Sequence, residues 1–250
     1  MPNISQAFIL AAGRGERMRP LTDKIPKPLA PIQGKAIIDY ALEKISALSG
    51  INKIVVNSYY LADILVAHLK NLNNPKILIS HETQKLETGG GLVNAMFLLD
   101  SNQPILIING DLFWQDGDGS LLKTMIKNFD ETKMDILLAL KPKKEFFGYE
   151  GNGDFDFDAK TGELKKSANP SHTYIGAQIF HPRILINKPA EKLFSLSYFF
   201  KIAEQKDGVL NRVYGIEVRE KAFHIGDMLA LEAINNILAS PKNKVAFGAV

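Results

Sequence analysis

Short apolar runs alternate with longer mixed stretches through the first half of the chain. AFILAA (7–12), KIVVNS (53–58), KILIS (76–80), PILIIN (104–109) and MDILLAL (134–140) are rich in Ile, Leu and Val and bounded by turn residues. Runs of this length without polar alternation predict strands buried on both faces. Between them, AIIDYALEKISAL, LADILVAHLKNL, GLVNAMFLLD and SLLKTMIKNF space their apolar residues at the helical period. Five strands separated by helices predict an α/β fold with a doubly wound, mostly parallel, Rossmann-like sheet. The regularity stops near Lys141. From there to about Ala168 the chain is polar and glycine-rich, and DFDFD alternates, which predicts irregular hairpins on one edge. A second, mixed portion follows, with YIGAQIF as strand, SLSYFFKIAEQ as helix and GVLNRVYGIEV as strand and turn. MLALEAINNIL forms a last helix before a frayed tail, KNKVAFGAV. Repeats and linkers are absent. The expectation is one unit over residues 1–250, with one half over 1–141 and the other, including the C-terminal helix, over 142–250.

Bulk properties narrow this picture only a little. A chain of 250 residues with 46% hydrophobic and 23% charged content has ample material for one core. A net charge of +3 is too mild to argue for nucleic acid, and the basic residues are interleaved with turn residues rather than aromatics. With no cysteine, thiolate catalysis, disulfides and Cys-ligated metals are excluded. MPNISQ lacks a basic leader region and FILAA is too short for a membrane span, so a cytoplasmic location without membrane contact is expected. Phe146, Phe147, Tyr198, Phe199 and Phe200 suit the core or a homodimer interface.

The charge that matters lies between Arg14 and Lys27, where five basic residues face two acidic ones. This stretch follows the first strand, and open α/β sheets bind ligands beyond the C-terminal strand ends. Gly13 and Gly15 let backbone N–H groups approach an anion closely. Arg17, Arg19 and Lys27 add charge suited to phosphates, whereas Lys24 reads as solvated. A P-loop requires G-x-x-x-x-G-K-[ST], which does not occur. A dinucleotide fold requires G-x-G-x-x-G, but Met18 holds the third position, and the second strand ends near Asn57 rather than at an acid.

What is present is G-x-G-x-R-x-x-P-x-T followed by K-P: Gly13, Gly15, Arg17, Pro20, Thr22, Lys27 and Pro28. This string resembles the signature of the sugar-1-phosphate nucleotidyltransferases. LETGGG (86–91), NGD (109–111), GNGDF (151–155), YIG (174–176) and FHP (180–182) extend the resemblance along the chain. Within the family, the combination is most similar to the N-acetylmuramate 1-phosphate uridylyltransferases of peptidoglycan recycling, with the mannose-1-phosphate guanylyltransferases as close relatives.

The resemblance implies attack by a sugar 1-phosphate on the α-phosphorus of a nucleoside triphosphate, with Mg²⁺ as cofactor. It makes 1–141 the nucleotide-binding half and 142–250 the sugar-phosphate half. Arg17 would grip the β- and γ-phosphates, Lys27 the α-phosphate, and Asp111 the metal. Leu10, Ala11, Ala12, Gly13, Gly15, Glu82, Thr88 and Asn109 would contact the nucleotide. Gly89 and Gly90 would offer N–H groups at a helix start. Asn152, Asp154 and Gly176 would contact the sugar.

The family commonly has Asp-x-Gly-Thr near its end. Here the stretch reads FHIGD, with His224 in the aspartate's place and Asp227 in the threonine's. Mg²⁺ prefers hard oxygen ligands, so His224 is expected to hydrogen-bond a phosphate or metal-bound water. Asp227, directly before MLALEAIN, is expected to cap that helix. A catalytically silent nucleotide-sugar-binding regulatory subunit is the reading of another class; Arg17, Lys27 and Asp111 argue against it.

Overall fold

The computed structural model describes residues 4–117 and 119–240. The KNKVAFGAV tail lies outside the described residues. The chain opens with β1 (Gln6–Leu10), then a long loop leading to the small hairpin of β2 (Pro31–Ile32) and β3 (Lys35–Ala36). Next come α1 (Ile37–Ser46), β4 (Lys53–Ser58), α2 (Ala62–Asn71), β5 (Ile77–His81), α3 (Glu87–Ala95) and β6 (Ile105–Asn109). β7 (Leu112–Gln115), α4 (Leu121–Asn128) and β8 (Ile136–Pro142) complete the first half. The second half adds β9 (Asp156–Phe157), β10 (Glu163–Lys165), β11 (His172–Phe180), α5 (Ser197–Ile202), β12 (Val209–Glu217), β13 (Lys221–His224) and α6 (Met228–Ala239).

Nine strands form one sheet in the order β5-β4-β1-β6-β11-β8-β12-β10-β9. β5, β4, β1 and β6 are mutually parallel, as the apolar runs predicted. β8 is not the neighbour of β6, however. The apolar strand β11 inserts between them, antiparallel to both. A run buried on both faces satisfies either neighbour, so periodicity alone leaves the strand order open. β9 and β10 pair antiparallel at the far edge, where the DFDFD alternation predicted hairpins.

The alternation along β1 shows how the two faces are covered. Ala7 and Ile9 join the cluster beneath α1, α2 and α4, whereas Phe8 joins the one that includes Leu92 of α3 and Phe199 of α5. A third cluster joins Met18 of the long loop to Phe113, Phe223 and Ile234 of α6. Phe146, Phe199 and Phe200 are buried in these cores, while Phe147 remains partly exposed. α3 begins at Glu87, four residues earlier than GLVNAMFLLD suggested, and α5 is shorter than its predicted stretch. β7 and β13 pair in a separate two-stranded ladder that the hydrophobic pattern did not predict.

Candidate active site

The site lies beyond the C-terminal ends of β1, β4, β5 and β6. Where β1 ends, the Ala11 N–H donates to Asn57 Oδ1 at 2.6 Å. Asn57 Nδ2 in turn donates to Glu82 Oε1 at 2.6 Å, and both side chains are buried. A Cβ on Gly91 would lie 2.6 Å from Glu82 Oε1, so this glycine makes room for the carboxyl. Burial raises the Glu82 pKa, and the Asn57 hydrogen bond only partly offsets it. A carboxyl raised on folding contributes stability that is complete below the ordinary carboxylate range and lost as pH rises through its folded pKa. Glu82→Gln keeps an acceptor for Asn57 without the charge. Its melting temperature should therefore match wild type at acid pH and exceed it by a growing margin towards neutrality. A margin independent of pH would assign the effect to packing instead.

The basic loop is folded back on itself. Gly15 has φ +63°, and a Cβ there would lie 2.8 Å from the Cβ of Lys27. Thr22 Oγ1 donates to the Gly15 carbonyl at 2.9 Å, and the Tyr60 hydroxyl donates to the Thr22 carbonyl at 2.9 Å. These ties deliver Lys27, whose Nζ donates to Asp111 Oδ2 at 2.5 Å. The Lys27 side chain is 13% exposed and that of Asp111 28%, so the pair is shielded but reachable. Asp111 follows β6 through Gly110, whose N–H donates to the Leu10 carbonyl at 2.9 Å. This pins the strand ends of β1 and β6 together.

His224 reaches the same place from the far end of the chain. β13 pairs antiparallel with β7, and His224 sits opposite Leu112, one residue after Asp111. A Cβ on Gly226 would lie 2.7 Å from His224 Nε2 and 3.3 Å from Arg17 Nη2, so imidazole and guanidinium converge there. Arg17 is exposed and has no ion pair among the described residues. Burial pulls the His224 pKa below its ordinary value; Lys27 and Arg17 act in the same direction, against Asp111 and Asp227. The imidazole is thus neutral at neutral pH. Asp227 Oδ1 accepts the Ala230 N–H at 2.9 Å, which makes it the N-cap of α6.

Two cavities meet at this point. The first, about 220 Å³, has Leu10, Ala11, Ala12 and Gly13 in its wall together with Lys27 and Asp111. Glu82, Thr88 and Asn109 also line it. The second, about 280 Å³, shares Leu10, Thr88 and Asn109 with the first and adds Asp154. Thr88 stands at the border, and its Oγ1 accepts the Leu196 N–H at 2.8 Å.

Other predicted residues have different positions. The Gly89 and Gly90 N–H groups both donate to the Phe194 carbonyl, at 2.9 and 3.1 Å, so they are not free for a ligand. Their missing side chains admit the Phe194 ring and the Lys192 carbonyl. The helix-start reading of these glycines is therefore corrected to one of close packing. Gly176, at φ +98°, lies in the irregular stretch of the β11–β8 pairing, and the Asn109 side chain occupies the space a Cβ would need. Asn152 is exposed and lines neither cavity. Gly15 shapes the loop without lining either cavity.

Several residues escaped the sequence reading. Asn57 served there only to exclude an acid, although an amide at a buried strand's C-terminal end was itself a signal. Tyr174 and Gln178 line the second cavity, and the Tyr174 hydroxyl and Gln178 Oε1 are buried without a hydrogen-bond partner among the described residues. Burial, reinforced by the Asp111 and Asp154 carboxylates, pushes the Tyr174 phenol far up, so it remains a proton donor.

The family model described as nucleotidyl transferase matches residues 6–152. The chain belongs to this family. It is 35% identical over 237 residues to the N-acetylmuramate alpha-1-phosphate uridylyltransferase of Caulobacter vibrioides, covering 91% of this chain and 95% of that protein. It is 34% identical over 215 residues to the D-glycero-alpha-D-manno-heptose 1-phosphate guanylyltransferase of Aneurinibacillus thermoaerophilus, covering 84% and 88%. In fold it is similar to HddC from Yersinia pseudotuberculosis, with TM-score 0.71, 20% identity and coverage of 94% of this chain and 100% of that one. A UDP-glucose pyrophosphorylase crystallised with UDP-glucose gives TM-score 0.70 at 19% identity, covering 94% and 98%. The Rossmann-like nucleotidyltransferase fold and the enzyme class expected from the opening string thus hold. Among the described residues, no helix is long and apolar enough to cross a membrane.

Proposed function

We propose that this nucleotidyltransferase transfers a uridylyl group from UTP to N-acetylmuramate 1-phosphate and releases pyrophosphate. The observation that carries the choice of substrates is the 35% identity, across almost the whole of both chains, to a uridylyltransferase of that name. The nucleotide occupies the first cavity, whose lining comes entirely from residues up to Asp111, and the sugar the second. The Lys27–Asp111 pair in the first cavity and Asn109, common to both, mark where the two substrates meet.

A phosphate oxygen of the sugar attacks the α-phosphorus, a new P–O bond forms, and the bond to the β-phosphate oxygen breaks. Both reactants are polyanions, so catalysis is mainly positioning and charge neutralisation. Lys27 donates to the oxygens of the α-phosphoryl group as charge builds there, and Arg17 holds the departing pyrophosphate. Buried Asn57 and Glu82 fix the backbone at Ala11 beside the nucleotide.

Asp111 would hold Mg²⁺. Its second carboxylate oxygen has no hydrogen bond among the described residues, which suits an ion whose other positions phosphates and water fill. No cluster of three or more acidic, His or Cys ligands occurs among the described residues, and substrate phosphates and water would complete the shell. When bound, the ion supplies charge stabilisation to the phosphates. A product of this kind belongs to peptidoglycan recycling in the cytoplasm.

A pyrophosphate-release panel crossing UTP, GTP, CTP and dTTP with several sugar 1-phosphates tests the reading. UTP with N-acetylmuramate 1-phosphate should give the highest kcat/KM. A higher value for GTP with mannose or heptose 1-phosphate would transfer the assignment to the guanylyltransferases. No release with any pair would instead support a regulatory subunit.

A further inference from the structure

The second cavity carries charge that a neutral sugar does not need. Lys166 and Lys201 both line it, and neither forms an ion pair among the described residues. Lys166 is half-buried. Its Nζ donates to the Asp154 carbonyl at 2.9 Å and lies 4.1 Å from the centre of the Phe155 ring. Carbonyl and ring hold the ammonium in place but do not neutralise it, and two of its three N–H groups have no hydrogen-bond partner among the described residues.

Among the described residues, the only carboxylate in the lining is that of Asp154, and it is already engaged. Its Oδ2 accepts the Thr173 hydroxyl at 2.6 Å and the Tyr174 N–H at 2.9 Å. The 1-phosphate does not account for the lysines, because it must meet the nucleotide near Lys27 and Asp111, and neither Lys166 nor Lys201 lines the first cavity. A fixed ammonium in a partly desolvated pocket is matched best by a second anion on the ligand.

We propose that Lys166, with Lys201 adding charge in the same cavity, selects sugar 1-phosphates that bear a carboxylate remote from the phosphate. The inference rests on the reading that this cavity holds the sugar. N-Acetylmuramate 1-phosphate fits the requirement, since its lactyl ether ends in a carboxylate. N-Acetylglucosamine 1-phosphate differs from it only by lacking that group, which makes the two a matched pair of probes.

The test is steady-state kinetics of wild type, Lys166→Met and Lys166→Arg with both sugar phosphates at saturating UTP. A hydrogen bond to a charged group is worth enough to raise KM for the carboxylated sugar roughly 10- to 100-fold in Lys166→Met. KM for N-acetylglucosamine 1-phosphate and for UTP should stay near wild type, which also shows that the variant is folded. Lys166→Arg should recover most of the selectivity. Equal losses on both sugars would place Lys166 on the phosphate or in the scaffold and overturn the proposal. So would unchanged selectivity in Lys166→Met. Wild type measured alone separates the two layers: if it does not favour the carboxylated sugar, the substrate reading falls before any variant is made.

Discussion

Lys27→Met should lower kcat by roughly 10²–10³-fold, the loss typical when one preorganised donor to a developing charge is removed. KM for the triphosphate should change far less. The reason lies in where the ammonium sits. Lys27 lines the first cavity and is held against Asp111 at 2.5 Å, in a shielded position. In the proposed reading, ground-state triphosphate would spread its charge over several oxygens that Arg17 and the metal would share with Lys27. Negative charge concentrates around the α-phosphorus only as the new bond forms, so that is where a fixed point charge has its largest differential effect. Methionine retains the buried stem and removes the charge, which separates this role from simple packing. Single-turnover measurement of pyrophosphate release checks the chemical step directly. Near-normal turnover, or a loss confined to KM, would make Lys27 a binding residue and move the transition-state role elsewhere.

What the chain reveals in advance, and what it hides, follows from how local each signal is. β1, β4, β5 and β6 were legible because each is a continuous apolar run closed by turn residues. The basic loop was legible because its glycines, arginine and lysine sit within one short string. The position of β11 was not, since an apolar strand does not state its neighbour. The β7–β13 ladder was hidden for a related reason. LFWQ and KAFH are too short for period analysis, and their pairing joins residues far apart in sequence. Without that ladder only the family resemblance, and not the hydrophobic pattern, put His224 near Asp111.

Gly89 and Gly90 illustrate a different gap. A glycine cluster before an apolar run fits either exposed N–H groups or close packing, and the Phe194 carbonyl decided for packing. Lys166 gave no signal at all. In a polar stretch a lysine reads as a solvated charge, and only the Phe155 ring and the Asp154 carbonyl show that it is fixed.

Asp111→Asn should abolish measurable turnover over a wide range of Mg²⁺, whereas His224→Ala should cause a partial loss with little change in the Mg²⁺ requirement. Asparagine keeps the shape of Asp111 but removes the charge that both holds Lys27 and suits a hard cation. Two functions therefore fail together, and the double variant Lys27→Met/Asp111→Asn should be little worse than the worse single one, as for groups that act as a unit. His224 stands differently. Its imidazole is half-buried near Arg17 and is kept neutral at neutral pH by that burial, with Lys27 and Arg17 acting in the same direction. A neutral ring there can hydrogen-bond a phosphate or a coordinated water but competes poorly with oxygen for Mg²⁺. Because its pKa is depressed on folding, any contribution of the neutral form persists above the ordinary histidine range and is lost only as pH falls below it. Asp227 caps α6 through one carboxylate oxygen, and that cap is its expected role. Its alanine variant should lose stability by about 1 kcal/mol and retain activity once folded. Titrating Mg²⁺ against initial rate for the three variants checks this division of labour. If His224→Ala needs far more Mg²⁺, or if folded Asp227→Ala is as inactive as Asp111→Asn, the metal is held by the C-terminal stretch as well and Asp111 does not carry it alone.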